Sequence, residues 1–314
     1  MKIIRPVAIT DAVLTSSTVA EADHPAWASG TTYALDALVI RSHHRWQSLQ
    51  ASNTNHAPET SPEWWLDLGM TNRWAMFDDK VGSLTTDTGS ITVVLAPGGI
   101  DALALLDVEA ENATVTMESG GDEVYSRIGS TNVGGQAITD WYLYFFEPIC
   151  KRRTILFDDL PIYADGVVTI EIAAAAPADP VSVGTLIVGL QMEIGSTEAS
   201  PKIGIDDFSR KETDDFGVTS IVQRAWRKRM SARVLMPASS VDQVQQTLAD
   251  YRAKPLVWIG LTLADYRAKP LVLIGSELFD AMLIYGFYKS FEIDIAFSHL
   301  AYCSLEIEGL STDN

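Results

Sequence analysis

The amino-acid sequence predicts a mainly β protein with three parts: a small β module, an antiparallel β-sandwich of the jelly-roll kind and a C-terminal α+β domain. Short runs rich in Val, Ile and aromatic residues recur along the chain, separated by Gly, Pro, Asp and Asn. Even spacing of such runs is typical of antiparallel sandwiches. Several runs alternate apolar and polar residues, which is the period of a half-buried strand. One segment after Pro237 has the spacing of an amphipathic helix.

Length and charge limit the classes of partner. A chain of 314 residues is expected to hold two or three domains. The net charge of −18 argues against nucleic acid, since neutralising phosphates requires clustered Lys and Arg, and against anionic membrane surfaces. No apolar run approaches the ~20 residues needed to span a bilayer, so we expect no membrane insertion.

The first 26 residues predict an extended N-terminal arm. The run MKIIRPVAIT is typical of a strand, but its apolar residues have no local partner. We therefore expect the arm to pack on another domain or on another subunit. The run lacks the continuous apolar stretch of a signal peptide, which favours synthesis in the cytoplasm.

Residues 27–71 form the most informative segment. Two strand-like runs lie between turn-rich pieces, and a Trp-Trp pair closes the unit. The pattern resembles carbohydrate-binding (chitin-binding-like) modules of the family 5/12 type, which implies binding of a glycan and no catalysis. The matching positions are Trp27, Tyr33, Asp36, Val39, Trp46, Pro58 and either Trp64 or Trp65.

The module departs from that family after its second strand. Saccharide-binding members carry exposed aromatics there, whereas this chain has LQASN at 49–53. Flat aromatic faces provide most of the apolar contact with a sugar ring. Two interpretations stay open: the aromatics form the core of a very small domain, or some retain glycan contact. Under the second interpretation Trp46 and Trp65 are the main candidates, with Trp27 and Tyr33 beside them.

Residues 72–205 predict the sandwich. Val168, Ile170 and Ile172 alternate with Thr169 and Glu171, as in a half-buried strand. The strand-like runs are 91–96, 102–110, 114–118, 141–149, 153–158, 167–175 and 184–195.

Residues 206–314 predict an α+β assembly domain. Val241, Val244, Leu248 and Tyr251 lie on one face of a helix that Ser240 is positioned to cap, with Gln243 as its capping-box partner. The segment 247–260 recurs at 262–275 with one difference. Only one copy can occupy the original place in the fold, so we expect the duplication to be tolerated and functionally silent.

No catalytic, metal or cofactor site is predicted. Acid pairs recur at 78–79, 158–159, 206–207 and 214–215, but adjacent residues on a strand point to opposite faces. Solvated turns are favoured over a catalytic pair, and over a calcium loop in 206–215. Histidine spacings and glycine-rich loops match no known motif. Cys150 and Cys303 lie in no CxxC pair, which favours two buried thiols over a single disulfide.

A basic cluster stands out in so acidic a chain. It comprises Arg224, Arg227, Lys228 and Arg229, with Arg233 close by. One interpretation is an intersubunit contact with an acidic surface of a neighbour. The other is a solvated strand face.

The run of segments along the whole chain resembles bacteriophage and prophage tail-tip or baseplate proteins. The segments concerned are TNRWAMFDDKVG (71–82), IGIDDFSRKETDDFG (203–217) and GFYKSFEIDIAFSHLAYCSLEIEGL (286–310), behind the carbohydrate-binding-like module. This resemblance implies a non-enzymatic component of the virion tail, present in several copies around the tail axis. Its expected partners are other tail or baseplate proteins and glycans on the host surface. The alternatives are a free carbohydrate-binding protein, an accessory module of a glycan hydrolase, or such a hydrolase itself.

Overall fold

The computed structural model describes residues 1–131, 152–198, 201–213, 216–217, 219–260, 282–295 and 297–310. The described chain is mainly β, which confirms the predicted class. Its α-helix, α1, spans Val241–Asp250, and short 3₁₀ turns lie at Pro58–Thr60, Ala75–Phe77 and Ala238–Ser240.

The strands are numbered in chain order. They are β1 Lys2–Pro6, β2 Leu14–Ser17, β3 Thr32–Tyr33, β4 Leu38–Arg41, β5 His44–Ser48, β6 Asn53–Thr54, β7 Trp65–Met70, β8 Thr85–Thr88, β9 Ser90–Leu95, β10 Ala102–Glu109, β11 Asn112–Ser119, β12 Asp122–Ser130, β13 Thr154–Phe157, β14 Val167–Ala173, β15 Pro180–Glu193, β16 Ser196–Thr197, β17 Lys202–Asp207, β18 Arg210–Thr213, β19 Thr219–Val222, β20 Trp226–Pro237, β21 Leu256–Ile259, β22 Leu283–Asp294 and β23 Leu300–Gly309.

Two sheets form a sandwich. The larger is an 11-stranded sheet with the order β13-β10-β15-β1-β21-β22-β23-β20-β16, in which β17 also pairs with β20 and β8 with β15. The smaller is a five-stranded sheet with the order β12-β11-β14-β9-β2. Val168, Ile170 and Ile172 of β14 are fully buried against Leu103 and Leu105 of β10 in one core. The predicted alternation in β14 is therefore confirmed.

A second core lies between the larger sheet and α1. Val241, Val244 and Leu248 of α1 pack on buried residues of β20 and β23, so the predicted helix face is confirmed except that Tyr251 is only partly buried. The predicted capping box is wrong. Ser240 belongs to a 3₁₀ turn, and its Oγ donates to the carbonyl of Pro237 at 2.8 Å instead of accepting from the helix.

The N-terminal arm lies in the middle of the larger sheet. Strand β1 pairs antiparallel with β15 on one side and with β21 on the other. Ile3 and Ile4 are fully buried on opposite faces of the sheet. The arm thus packs within its own chain, and it joins segments that are far apart in sequence.

The larger sheet also crosses the predicted boundary between residues 205 and 206. Strand β17 runs through that boundary, and β10, β13 and β15 share the sheet with β20 to β23. The first repeat copy, 247–260, holds the end of α1, a Lys-Pro break and β21, as expected. The second copy, the predicted strand at 141–149 and Cys150 lie outside the described residues. Cys303 is a free buried thiol whose pKa is raised to about 11 by burial.

Candidate functional site

Strands β4, β5 and β7 form the sheet of the small module, and β3 pairs with β6 beside it. Trp46 and Trp65 are 9% and 2% exposed and form its core with Val39. The indole N–H of Trp65 donates to the carbonyl of His56 at 2.9 Å, and that of Trp46 to the carbonyl of Arg41 at 3.2 Å. These buried rings have no free face for a sugar. The structure therefore corrects the expectation of glycan contact for both and supports the core interpretation.

Trp27 and Tyr33 are half-buried against the same core. The Arg41 guanidinium lies 4.1 Å from the centre of the Trp27 ring and covers one of its faces. Tyr33 packs edge-on against Trp65 with ring centres 5.3 Å apart, and its hydroxyl accepts from the N–H of Ala28 at 2.7 Å. Both rings mainly complete the core.

Trp64 provides the flat aromatic surface of the module. Its ring stacks on the imidazole of His56 at 3.9 Å with only 9° between the planes, and both residues are half-buried. Trp64 lies in the turn before β7, where its N–H donates to the Ser61 carbonyl at 3.0 Å, and it packs against the edge of the core that buries Trp65. The sequence left the choice between the two tryptophans open, and the His56 partner was missed.

His43 connects the module to the sandwich. Ser42 and His43 form a two-residue turn with φ of 51° and 64° between β4 and β5, as is typical of type I′ hairpins. His43 Nδ1 lies 2.9 Å from Glu21 Oε1, and Nε2 lies 3.1 Å from Asp11 Oδ1. Its ring also packs on Trp74 at 4.2 Å. Burial lowers the His43 pKa, but the hydrogen bonds and charges of Glu21 and Asp11 outweigh burial, so the pKa is raised.

The basic cluster lies in what we call the long hairpin, residues 202–231. Its base is the β17–β20 pair and its outer part the β18–β19 pair. The N–H of Phe208 donates to the carbonyl of Ala225 at 3.2 Å and joins the two parts. Every residue of β18 and β19 is exposed. The outer half of the long hairpin is therefore a projection.

An ion-pair network fixes the base of the long hairpin. Arg227 lies 3.1 Å from Asp206 and 2.8 Å from Glu308 of β23. Arg229 also reaches Asp206, at 3.5 Å, and Lys289 reaches Glu308, at 3.3 Å. The acidic partners of Arg227 and Arg229 thus lie in the same chain. An intersubunit role for them is an untested expectation, as it is for Lys228 and Arg224.

The other face of the long hairpin carries a shallow apolar groove of about 390 Å³. Ile205 and Ile221, which lie along it, are 61% and 64% exposed. The groove is lined by Ile205, Asp207, Ser209, Lys211, Ile221, Gln223, Arg224 and Trp226. The charges of this segment are evident in the sequence, whereas its apolar face emerges only when β17 and β19 fold beside each other.

The acid pairs within the described residues make structural contacts, and the pair at 214–215 lies outside those residues. Asp78 accepts from the Ser83 hydroxyl, and Asp79 from the Tyr285 hydroxyl at 2.8 Å. Asp159 accepts from Tyr125 and Arg127, each at 2.7 Å. Among the described residues, no group of three or more His, Cys, Asp or Glu is placed to hold a metal ion. No helix in that part of the chain is long and apolar enough to cross a membrane.

No protein-family model matches this chain, and no curated protein matches it either.

Proposed function

We propose that this protein is a structural component of a phage tail tip or baseplate that assembles through the long hairpin. The observation that carries the proposal is the apolar groove of that hairpin, where Ile205 of the base and Ile221 of the projecting outer part are largely solvent-exposed. Exposed apolar residues grouped on one side of a projection are typical of an interaction surface. The order of segments that resembles tail proteins supports a virion as the setting.

The small module has the second role in this proposal, as a contact to host-surface glycans. Trp64 stacked on His56 offers a flat, half-buried aromatic surface of the kind that packs on the C–H face of a sugar. Replacing Trp64 with Ala should weaken adsorption to host cells about tenfold or more, because one stacked ring dominates such small sites. Replacing the exposed Leu49 of the same module with Ala is the matched control. Equal adsorption of both variants would remove the glycan role.

Mass spectrometry of purified particles tests the tail assignment. Particles from an induced lysate are analysed, and peptide counts are scaled to the major tail protein. A fixed, small copy number is expected. Detection of the chain in the lysate but not in the particles would contradict the tail assignment. The Trp64–His56 surface then favours the second candidate function, a free carbohydrate-binding protein.

A further inference from the structure

The exposed groove of the long hairpin has a defined chemistry. Its apolar side chains are Ile205, Ile221 and Trp226, and its charged side chains are Arg224, Lys211 and Asp207, the last two 3.8 Å apart. Segment 202–231 holds seven Lys and Arg against five Asp and Glu, a net charge of +2. The rest of the chain holds 16 against 36, a net charge of −20. The segment is therefore weakly cationic on an acidic chain, and Lys211 and Arg224 beside the groove suit an apolar partner with acidic neighbours.

This chain carries a surface of that complementary kind. The turn between β22 and β23 exposes Ile295 by 66% and Phe297 by 57%. Glu292 and Asp294, at the end of β22, are exposed beside it. The N–H of Phe297 donates to the carbonyl of Leu300 at 3.2 Å, which closes the turn and presents the two apolar side chains. We call residues 292–295 with Phe297 the acidic turn.

The groove and the acidic turn lie at opposite ends of the larger sheet. The outer part of the long hairpin leaves the sheet at Trp226, where β20 begins, and the groove lies at that end. The acidic turn is level with the other end of β20, since Pro237 pairs with Leu300 and the Ala238 N–H donates to the His299 carbonyl at 3.1 Å. A strand of 12 residues separates them by roughly 35 Å. One chain therefore cannot bring its own groove and turn together.

We propose that the groove of one copy binds the acidic turn of a second copy, head to tail. Ile295 and Phe297 pack on the apolar side chains of the groove, and Asp294 and Glu292 meet Arg224 and Lys211. Such a contact joins two different surfaces. In a pair, the copy that uses its groove keeps a free acidic turn, and the copy that uses its acidic turn keeps a free groove, so further copies can add. Repetition closes into a ring when the rotation between copies allows it and gives a filament when it does not. The inference rests on the proposed function only in requiring that the chain assemble with itself.

Disulfide trapping tests the contact directly. Full-length Ile221→Cys and Phe297→Cys variants are mixed under mild oxidation, and cross-linked dimers are measured on a non-reducing gel. Disulfides need Cβ atoms about 4 Å apart, so only true neighbours react. The control pairs Ile221→Cys with Ile162→Cys, since Ile162 is 62% exposed in a loop of the sandwich. Wild-type chain measures the background from the native thiols. Selective trapping of the 221–297 pair supports the proposal, and equal or absent trapping overturns it.

A charge exchange provides an independent test that does not depend on cysteines. Arg224→Glu and Asp294→Arg should each weaken self-association about tenfold, measured by light scattering across a concentration series. The double variant should restore it, because the two charges exchange places across the contact. Circular dichroism checks that each variant is folded. No recovery in the folded double variant would overturn the pairing.

Combined with the particle analysis, these tests separate the two proposals. A chain that is present in particles but monomeric at every concentration would overturn the head-to-tail contact and leave the tail function standing. In that case the groove is occupied by a different tail protein. A chain that self-associates by the 221–297 pairing but is absent from particles would remove the tail function and leave the contact.

Discussion

The N-terminal strand β1 and the long hairpin are both extended segments that contain apolar residues and have no local core. They differ in the solvent exposure of those apolar residues. Ile4 of β1 is fully buried, whereas Ile221 of β19 in the long hairpin is 64% exposed. Strand β1 has hydrogen-bonded neighbours on both sides, β15 and β21. Strands β18 and β19 have only each other among the described residues. Burial thus depends on the strands that pair with a segment and on the cores that cover its faces, and not on the apolar content of the segment alone.

The largest expected effect comes from substituting two glycines, one beside β1 and one in the long hairpin. A Cβ at Gly189 of β15 would overlap the backbone carbonyl of Arg5, which cannot move without displacing β1. Gly189→Ala should therefore cost about 4 kcal/mol of unfolding free energy or prevent folding. At Gly204 of the long hairpin the nearest atom, at 2.9 Å, belongs to the flexible Arg229 side chain. Gly204→Ala should change urea stability little, and equal losses in the two variants would contradict the contrast.

Truncating matched isoleucines gives the next largest effect. Ile4→Ala removes methyl and methylene groups from a closed core and should lower the free energy of unfolding by about 3 kcal/mol. Ile205→Ala should cost less than about 0.5 kcal/mol, since solvent already surrounds the side chain. Urea denaturation of both variants measures the difference. A large loss for Ile205→Ala would mean that the long hairpin is buried within the monomer.

Replacing Arg227 should destabilise the base of the long hairpin, with a smaller loss of unfolding free energy than the core substitutions. Arg227→Met removes two ion pairs, but Asp206 keeps Arg229 and Glu308 keeps Lys289. We expect a loss of about 1 kcal/mol because the pairs are partly exposed. Amide hydrogen exchange should rise in residues 204–208 and 225–229. Arg210→Met is the control, since its partner Glu212 lies in the exposed outer part, and exchange at the base should then stay unchanged.

The smallest effect concerns the module, where the His43 side chain contacts Glu21 and Asp11 outside the module. The His43 pKa is raised in the folded state. The resulting stabilisation is fully present below the unfolded pKa of about 6.5 and is lost as pH rises through the higher folded pKa. Screening limits it to roughly 0.5 kcal/mol.

Hydrogen exchange across the turn at 42–43 should therefore be faster at pH 8 than at pH 6, after correction for intrinsic rates. His43→Gln should remove that difference. His24→Gln is the comparison variant, since His24 lies outside the contact with Glu21 and Asp11. A pH dependence that survives in His43→Gln would assign it to another group.

Much of the fold was predictable because its signals are local. Alternation identified β14, and the spacing of Val241, Val244 and Leu248 identified α1. The site was less predictable. Trp46 and Trp65 carry the same signature whether they face a sugar or a core, and their burial depends on how β4, β5 and β7 close. Arg227 is basic in any context, and only the pairing of β20 with β23 brings Glu308 within reach.

The sequence by itself determined the β class, the helix and its face, the aromatic composition of the module and the basic cluster between Arg224 and Arg233. Each follows from residues within one strand or one turn of chain, where side-chain period and turn preferences act directly. The tertiary structure decided the central position of β1, the single sheet across residues 205 and 206, and which tryptophan of the pair is buried. It also placed the groove and the acidic turn at opposite ends of the sheet. These depend on pairings between segments up to hundreds of residues apart, and no local period specifies them.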